Sequence, residues 1–172
     1  DLNLQYYKLK DASFLKDYFK REYEKDSNPQ SFFLLTRNFA NGTASFRVDA
    51  VVNRFIGGIE RLPDIRYDIT SQKIGETNLY FKSQNEYVNL AKKDPQPTEV
   101  RKETMRVDSN NELSYPMKVG IVEMRPFVGG RETYYSKTTD PSKYDIIRGI
   151  FFTGSDLSTK FFKVFDVQSN LW

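Results

Sequence analysis

The side chains available for chemistry are restricted, because the 172-residue chain contains neither histidine nor cysteine. Their absence excludes Ser-His-Asp and Cys-His triads, imidazole general bases, cysteine nucleophiles, disulfides, and zinc sites built from Cys or His. Carboxylate, lysine, tyrosine and Ser/Thr chemistry remain, but no spacing in the chain indicates any of them. We therefore expect no catalytic residues, no bound cofactor and no metal ion.

Glycines and paired carboxylates are the remaining features that could bind phosphate or support hydrolysis. Gly57-Gly58, Gly129-Gly130 and the segment from Gly149 to Gly154 match neither the P-loop nor the dinucleotide-binding pattern. They are interpreted as helix ends or hairpins. Asp64 and Asp68 form a possible carboxylate pair, but strand alternation favours a solvent-facing position over a catalytic cleft.

The charge balance argues against nucleic acid as a partner. Lys and Arg total 26 against 23 Asp and Glu, which gives a net charge of +3. Basic groups such as Lys92-Lys93 and Arg101-Lys102 have acids nearby, whereas a nucleic-acid interface needs a dense cationic face. Direct nucleic-acid binding is not expected.

Adjacent aromatic residues on predicted strands are the strongest indication of a binding surface. Successive side chains of a strand face opposite sides of the sheet, so both members of such a pair cannot enter the same core. We predict that Tyr134, Tyr135, Phe151 and Phe161 contact a partner protein. A second layer of helices, or ordinary surface aromatics, would explain the same pattern.

Apolar spacing near 3.6 residues predicts three helices in the first third of the chain. Ser13 caps the first, whose apolar stripe runs from Phe14 to Tyr23. The second follows Asn28 toward Gly42, and the third carries an apolar face from Val48 to Ile59. Asn41 begins a glycosylation sequon in form, but the Asn-Gly pair is interpreted as a turn.

Beyond Pro63 the apolar period changes to two, which predicts strands. A turn is expected at 109–111, one long strand at 113–121, a hairpin at Gly129-Gly130, and a further turn at 139–141. No helix-length segment separates the last strands, so the sheet is expected to be antiparallel.

These elements predict an α+β fold in which N-terminal helices pack on a curved antiparallel sheet. A single domain would cover residues 1–172, with a helical part at about 11–62 and a sheet part at about 64–170. The chain has no run of about 18 apolar residues and no signal-peptide pattern, and its start at Asp1 favours an excised domain. The absence of cysteine is compatible with an oxidising, extracytoplasmic location.

Two segments carry a resemblance to a known family. Tyr18-Phe19-Lys20-Arg21-Glu22-Tyr23 and the closing segment Phe161–Val167 are similar to the periplasmic domain of the VirB-eight-type inner-membrane scaffold of type IV secretion and conjugation systems. That family has a nuclear-transport-factor-two-like fold. The resemblance implies a non-catalytic assembly factor, tethered to the inner membrane by an N-terminal helix, that self-associates and contacts other channel subunits.

The leading functional hypothesis is therefore a non-enzymatic scaffold domain, periplasmic or at the cell surface, that helps to assemble a membrane-spanning secretion or conjugation machine. Its partners would be other protein subunits of a membrane complex and a second copy of itself. A small-ligand or glycan binding module with an aromatic-lined pocket is the alternative. An enzyme that uses Tyr, Asp or Lys in the same pocket is a third reading.

Overall fold

The computed structural model describes residues 1–95, 102–137 and 144–161. Within these residues the chain forms nine strands and two short helices. In chain order they are β1 (Leu2–Gln5), α1 (Phe14–Tyr18), α2 (Lys20–Lys25), β2 (Ser31–Phe39), β3 (Gly42–Ala50), β4 (Gly58–Lys73), β5 (Tyr80–Lys93), β6 (Lys102–Ser114), β7 (Met117–Val119), β8 (Val122–Lys137) and β9 (Tyr144–Thr159).

All nine strands belong to one antiparallel sheet with the order β1-β2-β3-β4-β5-β6-β8, so that most neighbours in the sheet are also neighbours in the chain. The β7 strand pairs with the start of β8, and β9 pairs with β8 over almost its whole length. The expected antiparallel pairing is confirmed. The α+β fold class is wrong, because the helices contribute only two short turns beside an extensive sheet.

The second and third predicted helices are wrong, since residues 31–50 form the β2–β3 hairpin. Nine consecutive residue pairs join these strands, from Ser31 opposite Ala50 to Phe39 opposite Gly42. The apolar residues of β3 also alternate with a period of two, and cross-strand pairing favours that period over the helical one. The turn predicted at Asn41 is present and connects the two strands.

The first predicted helix is present in shortened form. Residue Phe19, with φ −134° and ψ 54°, separates α1 from α2. The ring of Phe14 contacts those of Tyr18 and Phe19, with centroids 5.3 and 5.8 Å apart. A strand, β1, precedes these helices, which is the opposite of the expected order.

Several predicted turns lie inside long strands. Residues 109–111 belong to β6, and Gly129-Gly130 lies in the middle of β8. A Cβ atom on Gly129 would come within 2.4 Å of the Phe152 ring, so glycine here permits close approach between neighbouring strands and does not form a hairpin. The predicted strand at 113–121 is interrupted at Pro116, and the turn after β7 contains Gly120 with φ +62°. The turn at 139–141 and the segment 162–167 lie outside the described residues.

The sheet has no conventional apolar core in the part of the chain that is described. Its buried hydrophobic residues are Leu15, Val88 and Ala91, whereas Asp64 and Asp108 are also buried. Within the same ranges, no helix combines the length and the apolar character needed to cross a membrane. The two faces of the sheet therefore have to be considered separately.

Candidate functional site

One face of the sheet, here called the ionic face, carries alternating arginines and carboxylates across six strands. The pairing register brings Arg47 opposite Asp64, Arg66 opposite Glu86, and Glu86 opposite Asp108. Directly paired residues project on the same side of an antiparallel sheet. The ionic face is defined by Arg47, Asp49, Arg61, Asp64, Arg66, Glu86, Arg106, Asp108, Glu112, Arg125, Arg131 and Asp156.

Asp64 is the most deeply buried charge of this face, with 0% of its surface exposed. Arg61 Nη1 donates to its Oδ2 atom at 3.1 Å, and Arg66 Nε donates to its Oδ1 atom at 3.1 Å. The position expected from the sequence, a solvent-facing carboxylate, is therefore wrong for Asp64. A buried charge is tolerated when it is paired and hydrogen-bonded, and two guanidinium groups provide this pairing.

The chain of ion pairs continues through Glu86. Arg66 Nη2 donates to Glu86 Oε1 at 2.7 Å, and Arg106 Nη2 donates to the other carboxylate oxygen, Oε2. Hydrogen bonds and charge attraction from Asp64 and Glu86 raise the pKa of Arg66, against the opposing effect of burial. Burial by itself lowers the pKa of Arg106, but hydrogen bonding and charge attraction from Glu86 and Tyr135 outweigh burial and raise the pKa above its ordinary value.

Asp108 forms a second anchored carboxylate. Arg131 Nε and Nη2 donate to it at 3.0 and 2.9 Å, and Thr133 Oγ1 donates at 2.7 Å. Burial by itself raises the pKa of Asp108, but the hydrogen bonds from Arg131 and Thr133 outweigh burial and lower it below the ordinary value. The carboxylate is therefore held in its charged form.

Toward the other end of the ionic face, Arg125 bridges two carboxylates on different strands. It donates to Glu112 at 2.9 Å and to Asp156 at 2.6 Å, and these interactions raise its pKa. Its guanidinium also lies 5.5 Å from the centre of the Phe127 ring, a cation–π distance.

The opposite face, here called the apolar face, exposes large hydrophobic side chains. Ile147 and Phe151 on β9 are 74% and 75% exposed. The other exposed members are Leu2, Leu4, Leu35, Phe39, Phe46, Ile65, Tyr67, Tyr87, Val107, Val128 and Leu157. An apolar surface distributed over so many strands far exceeds the scattered hydrophobic residues normal on a water-soluble protein.

A ring of four polar residues interrupts the apolar face. Ser83 Oγ donates to Asn111 Oδ1, Asn111 Nδ2 to Ser109 Oγ, Ser109 Oγ to Asn85 Oδ1, and Asn85 Nδ2 back to Ser83 Oγ. The donor–acceptor distances are between 2.7 and 3.0 Å. The polar groups thus bind one another, which removes much of their cost in apolar surroundings.

The predicted partner-binding residues do not form one surface. Tyr134 and Phe151 lie on the apolar face, Tyr135 lies on the ionic face, and Phe161 follows the end of β9. Phe151 and Phe161 are exposed, while the two tyrosines are half-buried. Their role in binding a partner protein stays a prediction.

The two half-buried tyrosines already have partners within the chain. The Tyr134 hydroxyl donates to Asp145 Oδ1, and this hydrogen bond raises the pKa of Tyr134. The Arg148 guanidinium lies 5.7 Å from the centre of the Tyr135 ring.

The sequence analysis did not predict that two phenylalanines pack on two glycines of the neighbouring strands. Phe127 lies opposite Gly154, and Phe152 lies opposite Gly129. Added Cβ atoms would come within 2.6 Å of the Phe127 ring and within 2.4 Å of the Phe152 ring. An aromatic residue and a glycine at matched positions of neighbouring strands were the signal that could have revealed it.

A cavity of about 590 Å³ lies at the end of the ionic face, where the β3–β4 connection meets the chain segment before β2. Among its described lining residues, Tyr7 is the one aromatic residue, and arginine and aliphatic side chains make up much of the remainder. The expected aromatic-lined pocket is therefore absent at this position. No cluster of three or more carboxylates able to hold a metal ion occurs in the described ranges.

Comparison with known families identifies a different relationship from the one suggested by the sequence. The family model described as LptD: LPS transport system D matches residues 1–171. No curated protein matches the chain.

This match overturns the resemblance to the type IV secretion scaffold and, with it, the expected role in secretion or conjugation. The structure agrees, because β2 and β3 occupy positions at which the sequence analysis expects N-terminal helices. Two broader expectations are confirmed by the match: an extracytoplasmic location, and protein partners within a membrane transport system.

Proposed function

The chain belongs to the LptD family, and from this premise we propose that it acts in lipopolysaccharide (LPS) transport at the outer membrane. In this proposal the apolar face contacts hydrocarbon, and the ionic face contacts the phosphorylated saccharide part of LPS. The role is non-catalytic, because transport requires recognition of an amphiphile without bond cleavage.

The observation that carries the proposal is the opposite polarity of the two faces. Asp64 and Asp108 are buried on one face, whereas Ile147 and Phe151 are exposed on the other. Burying apolar surface is favourable by about 25 cal/mol per Å², so an uncovered apolar face of this extent is costly in water. Hydrocarbon is a suitable covering for it, and the self-bonded Ser–Asn ring is compatible with such surroundings.

The ionic face supports the saccharide part of the proposal. Arginine pairs with phosphate through charge-assisted, often bidentate hydrogen bonds. Phe127 and Phe152 add aromatic surface between Arg125 and Arg131, and aromatic residues with a few placed polar groups are typical of sites for small ligands. This retains the glycan-binding alternative, applied to the sugar of a glycolipid.

Spin labelling tests the two environments directly, because the chain has no cysteine and each introduced cysteine is unique. Labels at Tyr67→Cys and Tyr87→Cys report on the apolar face, and labels at Lys82→Cys and Gln84→Cys report on the ionic face. In outer-membrane vesicles we expect the first pair to collide with dissolved oxygen and the second pair with a water-soluble nickel complex. Equal exposure of all four labels to the nickel complex would overturn the assignment of the apolar face.

The same single cysteines carry a photo-crosslinker to test contact with LPS. We expect LPS adducts from Gln84→Cys on the ionic face and mainly phospholipid adducts from Tyr87→Cys. Vesicles of the same phospholipids without LPS are the control. Failure of every ionic-face position to crosslink LPS would contradict the proposed role in transport.

A further inference from the structure

We propose that the cavity at the end of the ionic face binds a phosphate group of an acyl-bearing glycolipid, with Arg47, Arg61 and Arg106 holding the phosphate. This inference rests on the proposed function, because it assigns one part of the LPS molecule to one site. It goes further by naming the residues and the chemical group that they recognise.

The cationic wall of the cavity is built by three strands. Arg47 lies on β3, Arg61 on β4 and Arg106 on β6, and the pairing register projects all three from the ionic face. All three line the cavity, and their side chains are between 29% and 41% exposed. The three side chains are thus partly exposed to a ligand and partly shielded from water, which strengthens charge-assisted hydrogen bonds.

Carboxylates neutralise this wall only in part. Asp49 lines the same cavity and lies 2.7 Å from Arg47 Nε and 3.9 Å from Arg61 Nε. Asp64 and Glu86 bind Arg61 and Arg106 from positions outside the lining. Each of the three guanidinium groups is thus ion-paired, but Asp64 and Glu86 are shared with Arg66, so four arginines face three carboxylates and the cluster keeps one positive charge that favours an anion.

Arg106 supplies the second observation. Its Nη2 atom binds Glu86, but its Nε atom is buried and has no hydrogen-bond partner among the described residues. A buried donor without a partner is costly. Because this atom is buried, a phosphate oxygen reaches it only after the Arg106 side chain rotates toward the cavity that it lines.

The remaining wall explains why the ligand is an amphiphile and not a free anion. Aliphatic side chains line the cavity beside the arginines: Val51, Val52, Ile56, Val88 and Leu90. They offer apolar surface to the first carbons of an acyl chain. The volume of about 590 Å³ is typical of a site for a small ligand, so it accommodates a head group and not a complete LPS molecule.

Calorimetric titration of the purified full protein in detergent tests this site with three probes. The probes are the phosphorylated lipid anchor of LPS, the same anchor after removal of its phosphates, and inorganic phosphate. We expect the phosphorylated anchor to bind most tightly and Arg106→Gln to weaken it roughly tenfold or more, since a hydrogen bond to a charged group is lost. Arg106→Lys, which retains the charge but not the Nε donor, should weaken binding to an intermediate degree.

Arg21→Gln is the control, because it is the same substitution at an exposed arginine on α2, outside the ionic face and outside the lining of the cavity. It should leave the affinity of the phosphorylated anchor unchanged. Circular dichroism verifies that each variant is folded, and Arg47→Gln provides a second variant should Arg106→Gln fail to fold.

The outcomes separate this site from the proposed function. Equal affinity in wild type, Arg106→Gln and Arg47→Gln, together with LPS crosslinking at Gln84→Cys, would overturn the phosphate site and leave the role in transport intact. Absence of both anchor binding and crosslinking would overturn both proposals. Tighter binding of inorganic phosphate than of the anchor, or equal binding of the two anchor forms, would also overturn the assignment to a lipid phosphate.

Discussion

Single residues of this chain are positioned mainly by charge pairing. Asp64 and Asp108 occupy buried positions that apolar residues take in most water-soluble sheets. Each is bound by arginine from its own or a neighbouring strand. The charges therefore stabilise the structure as pairs, and removal of one partner leaves the other without compensation.

Asp108 makes the structure sensitive to acid. Its pKa is lowered in the folded protein, so the stabilisation is fully present above the ordinary carboxyl value of about 3.9 and is lost as pH falls through the lower folded value. In urea titrations between pH 7 and pH 2, we expect the free energy of unfolding to decrease at the acid end. Asp108→Asn should reduce stability at pH 7 and flatten this decrease.

The control for this prediction is Asp17→Asn, since Asp17 is exposed on α1 away from the ion pairs of the ionic face. It should leave the acid dependence unchanged. An Asp108→Asn variant whose stability decreases with acid as steeply as that of wild type would show that other groups are responsible.

At the scale of secondary-structure elements, β8 and β9 depend on glycine for close packing against each other. Phe127 covers Gly154, and Phe152 covers Gly129. These positions demonstrate how a residue commonly associated with turns can be required inside a strand.

Gly154→Ala should destabilise the protein by about 1–3 kcal/mol, because the added Cβ overlaps the Phe127 ring and forces it to move. Gly149→Ala on the same strand is the matched control, since a Cβ at that position meets nothing within 4 Å. Urea unfolding of both variants measures the difference. Equal stability of the two would show that the ring moves without cost.

Sequence patterns predicted the strands after residue 63 better than the elements before it. Alternation in β4 was unambiguous, but the apolar residues of β2 and β3 fit both a helical and a strand period. Whether these residues form helices or strands depended on pairing between residues distant in sequence, such as Phe33 with Val48. A pattern read from a short stretch of sequence does not contain such pairing. The ionic face was missed for the same reason, because its members come from strands far apart in sequence.

At the scale of the whole molecule, the proposed function depends on the environment that each face of the sheet contacts. Ile147 and Phe151 project from the apolar face of β9, and Ile150 projects from the ionic face of the same strand. All three are more than 60% exposed. They allow the effect of introduced carboxylates to be compared on the two faces of one strand.

The double variant Ile147→Glu, Phe151→Glu should lose most of its association with lipid vesicles, because charged side chains are strongly disfavoured in hydrocarbon. Ile150→Glu should retain wild-type association, since a carboxylate at that position faces Arg131 on the ionic face. Co-flotation with vesicles measures both. Equal flotation of the two variants would contradict a hydrocarbon covering for the apolar face.

The amino-acid sequence by itself determined which chemistry is impossible, because a chain without histidine and cysteine has no disulfides and no imidazole or thiol catalysis wherever its residues lie. It also determined the antiparallel pairing of the later strands, since their short connections permit no crossover. Only the tertiary structure decided that residues 31–50 form a hairpin and that Asp64 and Asp108 are buried among arginines on one face. Alternation reveals that a strand has two faces, but which face is covered depends on neighbouring strands brought together by folding.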